Sequence, residues 1–404
     1  MSYCSSADKI NLYISFFAIL KGMTTQLMRF LDGTLGFIVV TLAALFARKP
    51  KKTVNTVKNI LFIKCFGIGS IQIAGSLICA VRNRYPSAKV SFLTFSQNAD
   101  FVNLMPEVDE VLPVRTSNLL FFCCDTLKHV AKLHSRGTDI VIDLEFFSKY
   151  STLVSFLSGA GMRLGYALPA FWRHRLVTHS VIINSQAHII DCMAQFAEIL
   201  GCRSERKIMP LTVSEQAKAI VHDKLEQQGR RQDAFLAVIN VNAGATSLLR
   251  RWPAQNFAAV SEALSETCDL AFIGTSGEKE YVDSVLSSLS VKTRAHAFNL
   301  AGSLKADELV ALLSSSNLVV TNDSGPLHLA AGAGCRTISF FGPESPHRYG
   351  PLGEGHTVFY AGELCSPCIS IDNGKRSDCR RNCQCLRAIE PDAVIKAAKK
   401  MLQK

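Results

Sequence analysis

The sequence predicts an α/β protein made of two Rossmann-like, doubly wound halves that face a cleft, preceded by an apolar helical extension. Three observations predict it. Short buried-type strand runs alternate with amphipathic helical stretches from residue 58 onward. The alternation stops in a polar stretch at 211–233 and then starts again. In each half, strands end in turns rich in Gly, Ser, Asn and Asp, the pattern of a parallel sheet whose loops carry ligands at the strand carboxyl ends.

The elements follow in order. Residues 1–57 form the extension: Ile10–Leu20 and Gly33–Ala47 carry no charge, and the second run ends against Arg48-Lys49-Pro50-Lys51-Lys52. Each run is shorter than the roughly 18–20 apolar residues that span a bilayer, so the pair suits an interfacial anchor with its cations toward anionic headgroups. The first half, 58–210, has strands at Lys58–Lys64, Lys89–Phe95, Glu110–Pro113 and Asp139–Leu144, with helices at Ile71–Tyr85, Leu119–Ser135 and Ser151–Leu157. Residues 211–233 are read as a linker with a short helix. The second half, 234–404, has strands at Ala234–Asn240, Leu270–Gly274, Ala295–Asn299 and Leu318–Thr321, with helices at Asn256–Glu266, Glu278–Leu289 and Ala306–Ser315.

The net charge of +11 is uneven, with eight Lys or Arg against Asp8 and Asp32 in residues 1–58, which leaves +6 there and +5 for the rest. A body this weakly basic argues against nucleic acid as a partner. The fourteen cysteines in a chain of this length without an export signal read as mostly reduced. Five of them crowd into residues 365–385 as Cys365-x2-Cys368-x10-Cys379-x3-Cys383-x-Cys385, a spacing open to a tetrahedral zinc or to two disulfides. Gly67-x-Gly69 opens a strand-to-helix turn, but Gln72 stands where a dinucleotide fingerprint needs Gly, and no acidic residue ends the next strand. A nicotinamide enzyme is therefore not expected.

The most informative stretch is 320–351, VTNDSGPLHLAAGAGCRTISFFGPESPHRYGP. Its apolar run breaks at Thr321-Asn322-Asp323-Ser324-Gly325-Pro326 and re-forms as a helix start. That junction is an anion site by construction, with Ser324 or Asp323 placed to cap the helix and His328 in its first turn. The string resembles the donor-binding signature of glycosyltransferase family 9, the heptosyltransferase family. Asp323, Ser324, Gly325, His328, Leu329, Ala330, Ala331, Phe341, Gly342, Pro343 and Pro346 match it.

The resemblance implies the two-domain GT-B fold and an inverting, metal-independent glycosyltransferase. It would move a sugar, plausibly heptose from ADP-heptose, to a lipopolysaccharide-core or other lipid-linked acceptor at the cytoplasmic face of the bacterial inner membrane. No cofactor is required for such chemistry, and a zinc at the cysteines would be structural. On the donor side the resemblance points to Arg250 in Leu248-Leu249-Arg250-Arg251-Trp252-Pro253, where the family has a phosphate-binding Lys, with Thr246 and Ser247 as hydroxyl donors. It also points to Glu278 near the ribose and to Asp323, Ser324, Gly325 and His328. On the acceptor side the candidates are Lys64, Lys149 and His188, the last in an H-x-x-D with Asp191; Arg163-Leu164-Gly165-Tyr166 matches a family motif read as a structural turn.

The family's proposed base is an Asp after Gly69, and here Ser70 takes that place. A serine hydroxyl does not accept a proton unaided at neutral pH. Asp143 and Glu145 close a predicted strand on one side of the chain, and Glu145 is the preferred replacement. The alternative is a non-catalytic binder of sugar nucleotides or glycolipids that kept the fold after losing the Asp.

Overall fold

The computed structural model describes residues 25–47, 56–167, 171–244, 248–371 and 379–403. The described residues fall into two compact units. One holds residues up to 66 together with 81–183 and 195–202, and the other holds 67–80, 184–194 and everything from 203. Residues 67–80 and 184–194, which precede the expected boundary at 210, thus group with the second unit. Thr246, Ser247, the run Ile10–Leu20 and the cationic run Arg48–Lys52 lie outside the described residues.

The first unit carries a six-stranded sheet in the order β3-β2-β1-β4-β5-β6. Its strands are β1 Asn59–Ile63, β2 Lys89–Phe95, β3 Glu110–Val114, β4 Ile140–Asp143, β5 Met162–Ala167 and β6 His179–Ile182. All adjacent pairs are parallel. Central strands such as β1 (NILFI) and β4 (IVID) read as unbroken apolar runs because helices cover both faces. The segment Arg163–Tyr166, expected as a turn, is the middle of β5. Its motif contains a Gly, but Arg163 N and O both bond to the Thr178 hydroxyl, at 2.8 and 3.1 Å, and the strand pairs with β4 and β6.

The second unit repeats the plan with β7 Phe235–Asn240, β8 Cys268–Phe272, β9 Ala297–Asn299, β10 Leu318–Asn322, β11 Thr337–Phe341 and β12 His356–Tyr360, ordered β12-β11-β10-β7-β8-β9 and parallel throughout. The sequence reading had not marked β6, β11 or β12. Both sheets have the doubly wound order, in which the chain leaves the middle strand first one way and then the other. That leaves a switch point between β1 and β4 and another between β7 and β10, where the loops diverge and ligands are received. A helix, Glu215–Glu226, occupies the expected linker and is capped by Ser214.

Trp252 locks the second core. Its ring is fully buried, stacks on Phe340 at 4.1 Å and meets Phe257 edge-on at 5.1 Å, while its indole N–H donates to Ile389 O at 3.1 Å. Trp252→Ala is expected to cost about 3–5 kcal/mol, measured by chemical denaturation. A loss below 1 kcal/mol would show that this contact does not anchor the core.

Candidate functional site

The β1–β4 switch point is filled by carboxylates. Gly67, with φ of +84°, turns the chain out of β1 through a conformation that L side chains rarely adopt. The preceding amides of Cys65 and Phe66 both donate to one oxygen of Glu145, Oε1, at 2.8 and 3.0 Å. The same oxygen accepts from Lys64 Nζ at 2.9 Å. Among the described residues, all three of these donors fall on Oε1 and none of them on the second oxygen, Oε2.

Asp143 braces this arrangement. Its Oδ1 accepts from Glu145 N at 3.1 Å, and its Oδ2 accepts from the Ser151 and Thr152 hydroxyls at 2.9 and 3.1 Å. Arg173, buried like Asp143, pairs with it at 3.4 Å and donates to Glu145 O at 2.7 Å and Phe146 O at 2.6 Å. Burial raises the Asp143 carboxyl to about 6 against the opposing pull of Arg173. Asp143 therefore acts as a scaffold for the 143–146 segment, with both of its oxygens already engaged. Arg173 had not been singled out from sequence. Its only signal there is a cation between apolar residues, and its partners lie about 30 residues away.

Lys64 is buried against Glu145. Lys149 begins the helix Lys149–Leu157, where its backbone N–H and that of Tyr150 donate to Asp32 at 3.1 and 2.8 Å. His188 is enclosed in the second unit. Its Nε2 lies 3.0 Å from Gly350 O and its Nδ1 accepts from Ile190 N at 3.2 Å, which places the proton on Nε2. Asp191 instead pairs with Arg206 at 3.0 Å.

The β7–β10 switch point is held by asparagines. Asn240, closing β7, donates to the Thr321 and Ser324 hydroxyls, both at 2.9 Å. Asn322, closing β10, donates to Val241 O and Asn242 O, both at 3.1 Å, and accepts from Trp252 N at 2.8 Å. Asn242 donates to Ile273 O at 3.2 Å. These residues tie the loops after β7, β8 and β10 into one rigid platform. Asn240 and Asn242 were missed from sequence; polar residues at the ends of fully apolar strands were the available sign.

The helix Gly325–Gly332 rises from this platform. Contrary to the capping expected of Ser324, its side chain does not cap the helix: the Ser324 hydroxyl is held beside Thr321 and Asn240 and donates to Asn322 O at 3.2 Å. The amino end therefore keeps donors that the cap residue does not satisfy. Arg250 sits beside it, paired to Asp323 at 3.1 Å and donating to Ala243 O at 3.1 Å. Glu278 closes a capping box, its Oε2 accepting from the Thr275 amide and hydroxyl, both at 2.9 Å. His328 is buried with an unpartnered Nδ1. Gly69, which belongs to the same unit, approaches so closely that a Cβ there would lie 2.6 Å from the His328 ring and 3.2 Å from Gly325 Cα. Ser70 is thereby brought within one residue of the signature helix.

The cysteines come together in part. Cys383 N donates to Cys379 Sγ at 3.2 Å, with Asn382 and Cys383 in left-handed backbone at φ of 47° and 53°. Burial, then the neighbouring Cys379, pushes the Cys383 thiol up to about 12; burial, then Cys368 and Cys365, pushes Cys385 to about 11. Among the described residues, no three or more His, Cys, Asp or Glu are grouped to hold a metal ion.

The family model for glycosyltransferase family 9 (heptosyltransferase) matches residues 126–376, more than half of the chain and the whole of the signature stretch. The chain belongs to glycosyltransferase family 9. This family 9 enzyme is 25% identical over 305 residues to lipopolysaccharide heptosyltransferase 2 of Escherichia coli, covering 73% of this chain and 85% of that protein. The solved ADP-heptose lipopolysaccharide heptosyltransferase II of E. coli matches with a TM-score of 0.69 and 22% identity, covering 85% of this chain and 98% of that one. A family 9 protein from Veillonella parvula matches with a TM-score of 0.70 and 21% identity, covering 88% and 99%. The fold of the enzyme is GT-B.

Burial holds the His328 imidazole down to about 4, below its ordinary value near 6.5, despite the opposing charge of Asp323. The group is neutral in the folded enzyme at pH 7. Below pH 6.5 the unfolded chain takes up this proton first, so stability must fall as pH drops from about 6.5 toward about 4. His328 is expected to account for on the order of 2 kcal/mol of that loss between pH 7 and pH 4.5. Urea titrations should show a shallower pH slope in His328→Gln, and an unchanged slope would remove His328 as the source.

Proposed function

We propose that the enzyme transfers a heptosyl group from ADP-heptose, with inversion, to a lipopolysaccharide-core or other lipid-linked acceptor at the cytoplasmic face of a bacterial inner membrane. The observation that carries this reading is the amino end of Gly325–Gly332, left uncapped by Ser324, inside the family signature, with a guanidinium one residue away. The diphosphate of the donor lies against those amides, and Arg250 is shared between Asp323 and a phosphate oxygen. Thr246, Ser247, Glu278 and His328 complete the donor contacts. The similarity to lipopolysaccharide heptosyltransferases supports the sugar and the acceptor class.

In the transfer, the acceptor hydroxyl attacks the anomeric carbon as the bond to the diphosphate oxygen breaks, ADP leaves, and the hydroxyl proton passes to a base. Glu145 is that base through Oε2, because its other oxygen is spent on Lys64, Cys65 and Phe66. Lys64 pairs with the carboxylate at 2.9 Å and fixes its position, Asp143 and Arg173 hold the backbone, and Ser70 contributes a hydroxyl where relatives carry the base. Lys149 and His188 stand as acceptor-side candidates. No metal takes part in this scheme.

Glu145→Gln is expected to lower transfer from ADP-heptose by ~100-fold or more while ADP still raises the melting temperature as in the wild type. Unchanged turnover in the variant removes Glu145 from the mechanism. A wild type that binds ADP but neither hydrolyses nor transfers the donor would be the non-catalytic binder.

The thiols at 365–385 are proposed to hold a structural zinc, a reading supported by their spacing. Metal analysis of the purified enzyme should find about one zinc per chain, with chelation lowering the melting temperature but not transfer per folded molecule. Substoichiometric metal with unaltered melting would leave these residues as plain thiols.

A further inference from the structure

Two helices precede the first sheet: α1 Thr25–Gly33 and α2 Leu35–Phe46. One side of α2 is fastened to the first unit. Val40 and Ala44 are fully buried against Leu176, with Leu153 and Phe156 packed around them, and Arg175 donates to Ala44 O at 3.2 Å. Asp32, in the last turn of α1, accepts from the amides of Lys149 and Tyr150, and so supplies negative charge at the amino end of the helix that follows Glu145. Met28 packs against the buried cluster around Leu61, Ile63 and Cys65, which Phe66, Phe122 and Tyr150 also cover. The hairpin is thus attached to the helix that follows the Glu145 segment, beyond the carboxyl end of β4.

The opposite side of the hairpin is apolar and uncovered. Phe30, Leu35, Phe37, Ile38, Leu42 and Leu45 are each between 50% and 64% exposed. No charged residue occurs from Gly33 to Ala47. The two threonines on this side return their hydroxyls to the helix backbone, Thr34 to Phe30 O at 2.8 Å and Thr41 to Phe37 O at 2.7 Å, so neither needs water. The same back-bond occurs at Thr126 and Ser315; the wide, charge-free apolar face is the feature that suits hydrocarbon.

We propose that α2 lies in the plane of an anionic lipid bilayer, its exposed face sunk among the acyl chains, and so delivers a lipid-linked acceptor to the Glu145 end of the first unit. At twelve residues the helix is about 18 Å long, too short to cross roughly 30 Å of hydrocarbon; no helix among the described residues is long and apolar enough to span. The cationic run Arg48-Lys49-Pro50-Lys51-Lys52 follows α2 directly in sequence, and exposed Arg175 bonds near its carboxyl end. Those charges complement phosphate headgroups, whereas an interface with a second copy would bring like charges together. The inference draws its purpose from the lipid-linked acceptor proposed above, but its test does not depend on turnover.

The full chain is sedimented with vesicles of phosphatidylglycerol and phosphatidylethanolamine, and in parallel with phosphatidylcholine alone. Wild type is expected to partition onto the anionic vesicles, less onto the neutral ones and less at high salt. Ile38→Asp with Leu42→Asp should bind at least about ten-fold more weakly, with unchanged melting and unchanged ADP-heptose turnover on a detergent-free, delipidated acceptor. A wild type that stays in the supernatant with both vesicles overturns the proposal, as does a double variant that binds vesicles normally. A double variant that turns a dimer into a monomer while vesicle binding is unaffected assigns the face to a second copy. Loss of turnover with vesicle binding intact counts against the transferase reading and leaves the membrane face standing.

Discussion

The structure depends on one constraint: where the chain leaves a doubly wound parallel sheet in opposite directions, the diverging loops expose backbone groups that no strand can pair. Each half meets it differently. In the first, a carboxylate fills the gap, Glu145 taking the Cys65 and Phe66 amides on one oxygen. In the second, amide side chains do so, Asn240, Asn242 and Asn322 lacing the ends of β7, β8 and β10 together. An unpaired buried polar group costs about as much as a lost hydrogen bond, so these residues are part of the fold before they are part of any site.

That dual duty explains the division of labour between the neighbouring acids. Asp143 satisfies two hydroxyls, an amide and Arg173, and keeps no free oxygen. Glu145 is held rigidly through Oε1, the pre-positioning that the base role proposed for it would need. In the second unit, Ser324, the natural cap of the helix Gly325–Gly332, makes no cap bond and is drawn instead into the asparagine platform.

The N-terminal helices extend this economy to the surface. Asp32 supplies the negative charge that the start of Lys149–Leu157 favours, and through it the hairpin is seated beside the Glu145 segment. An apolar helix face without charge is stable in water only at a cost, since each exposed Leu or Phe forgoes the gain of burial. Its retention beside the Glu145 segment fits the bilayer contact proposed for it.

Much of this was legible in the chain as written. Unbroken apolar runs such as Ile60–Ile63 and Leu318–Val320 foretell central parallel strands because their period is local, and the string from Asp323 to Pro346 identifies the family because its residue types are read one by one. Two edge strands escaped, β6 (HSVI) and β12 (HTVFY), which are half exposed; the buried β11 (TISFF) escaped as well, and β5 hid behind a Gly motif. What tertiary structure alone decided was partnership. Glu145 meets Cys65 across 80 residues, Arg173 meets Asp143 across 30, and Gly69 meets His328 across the chain. Periodicity and motif report which residues can do chemistry, because those properties belong to a residue and its neighbours in sequence. Which oxygen is held, and which cap is diverted, depends on groups that only folding brings within three ångströms of one another.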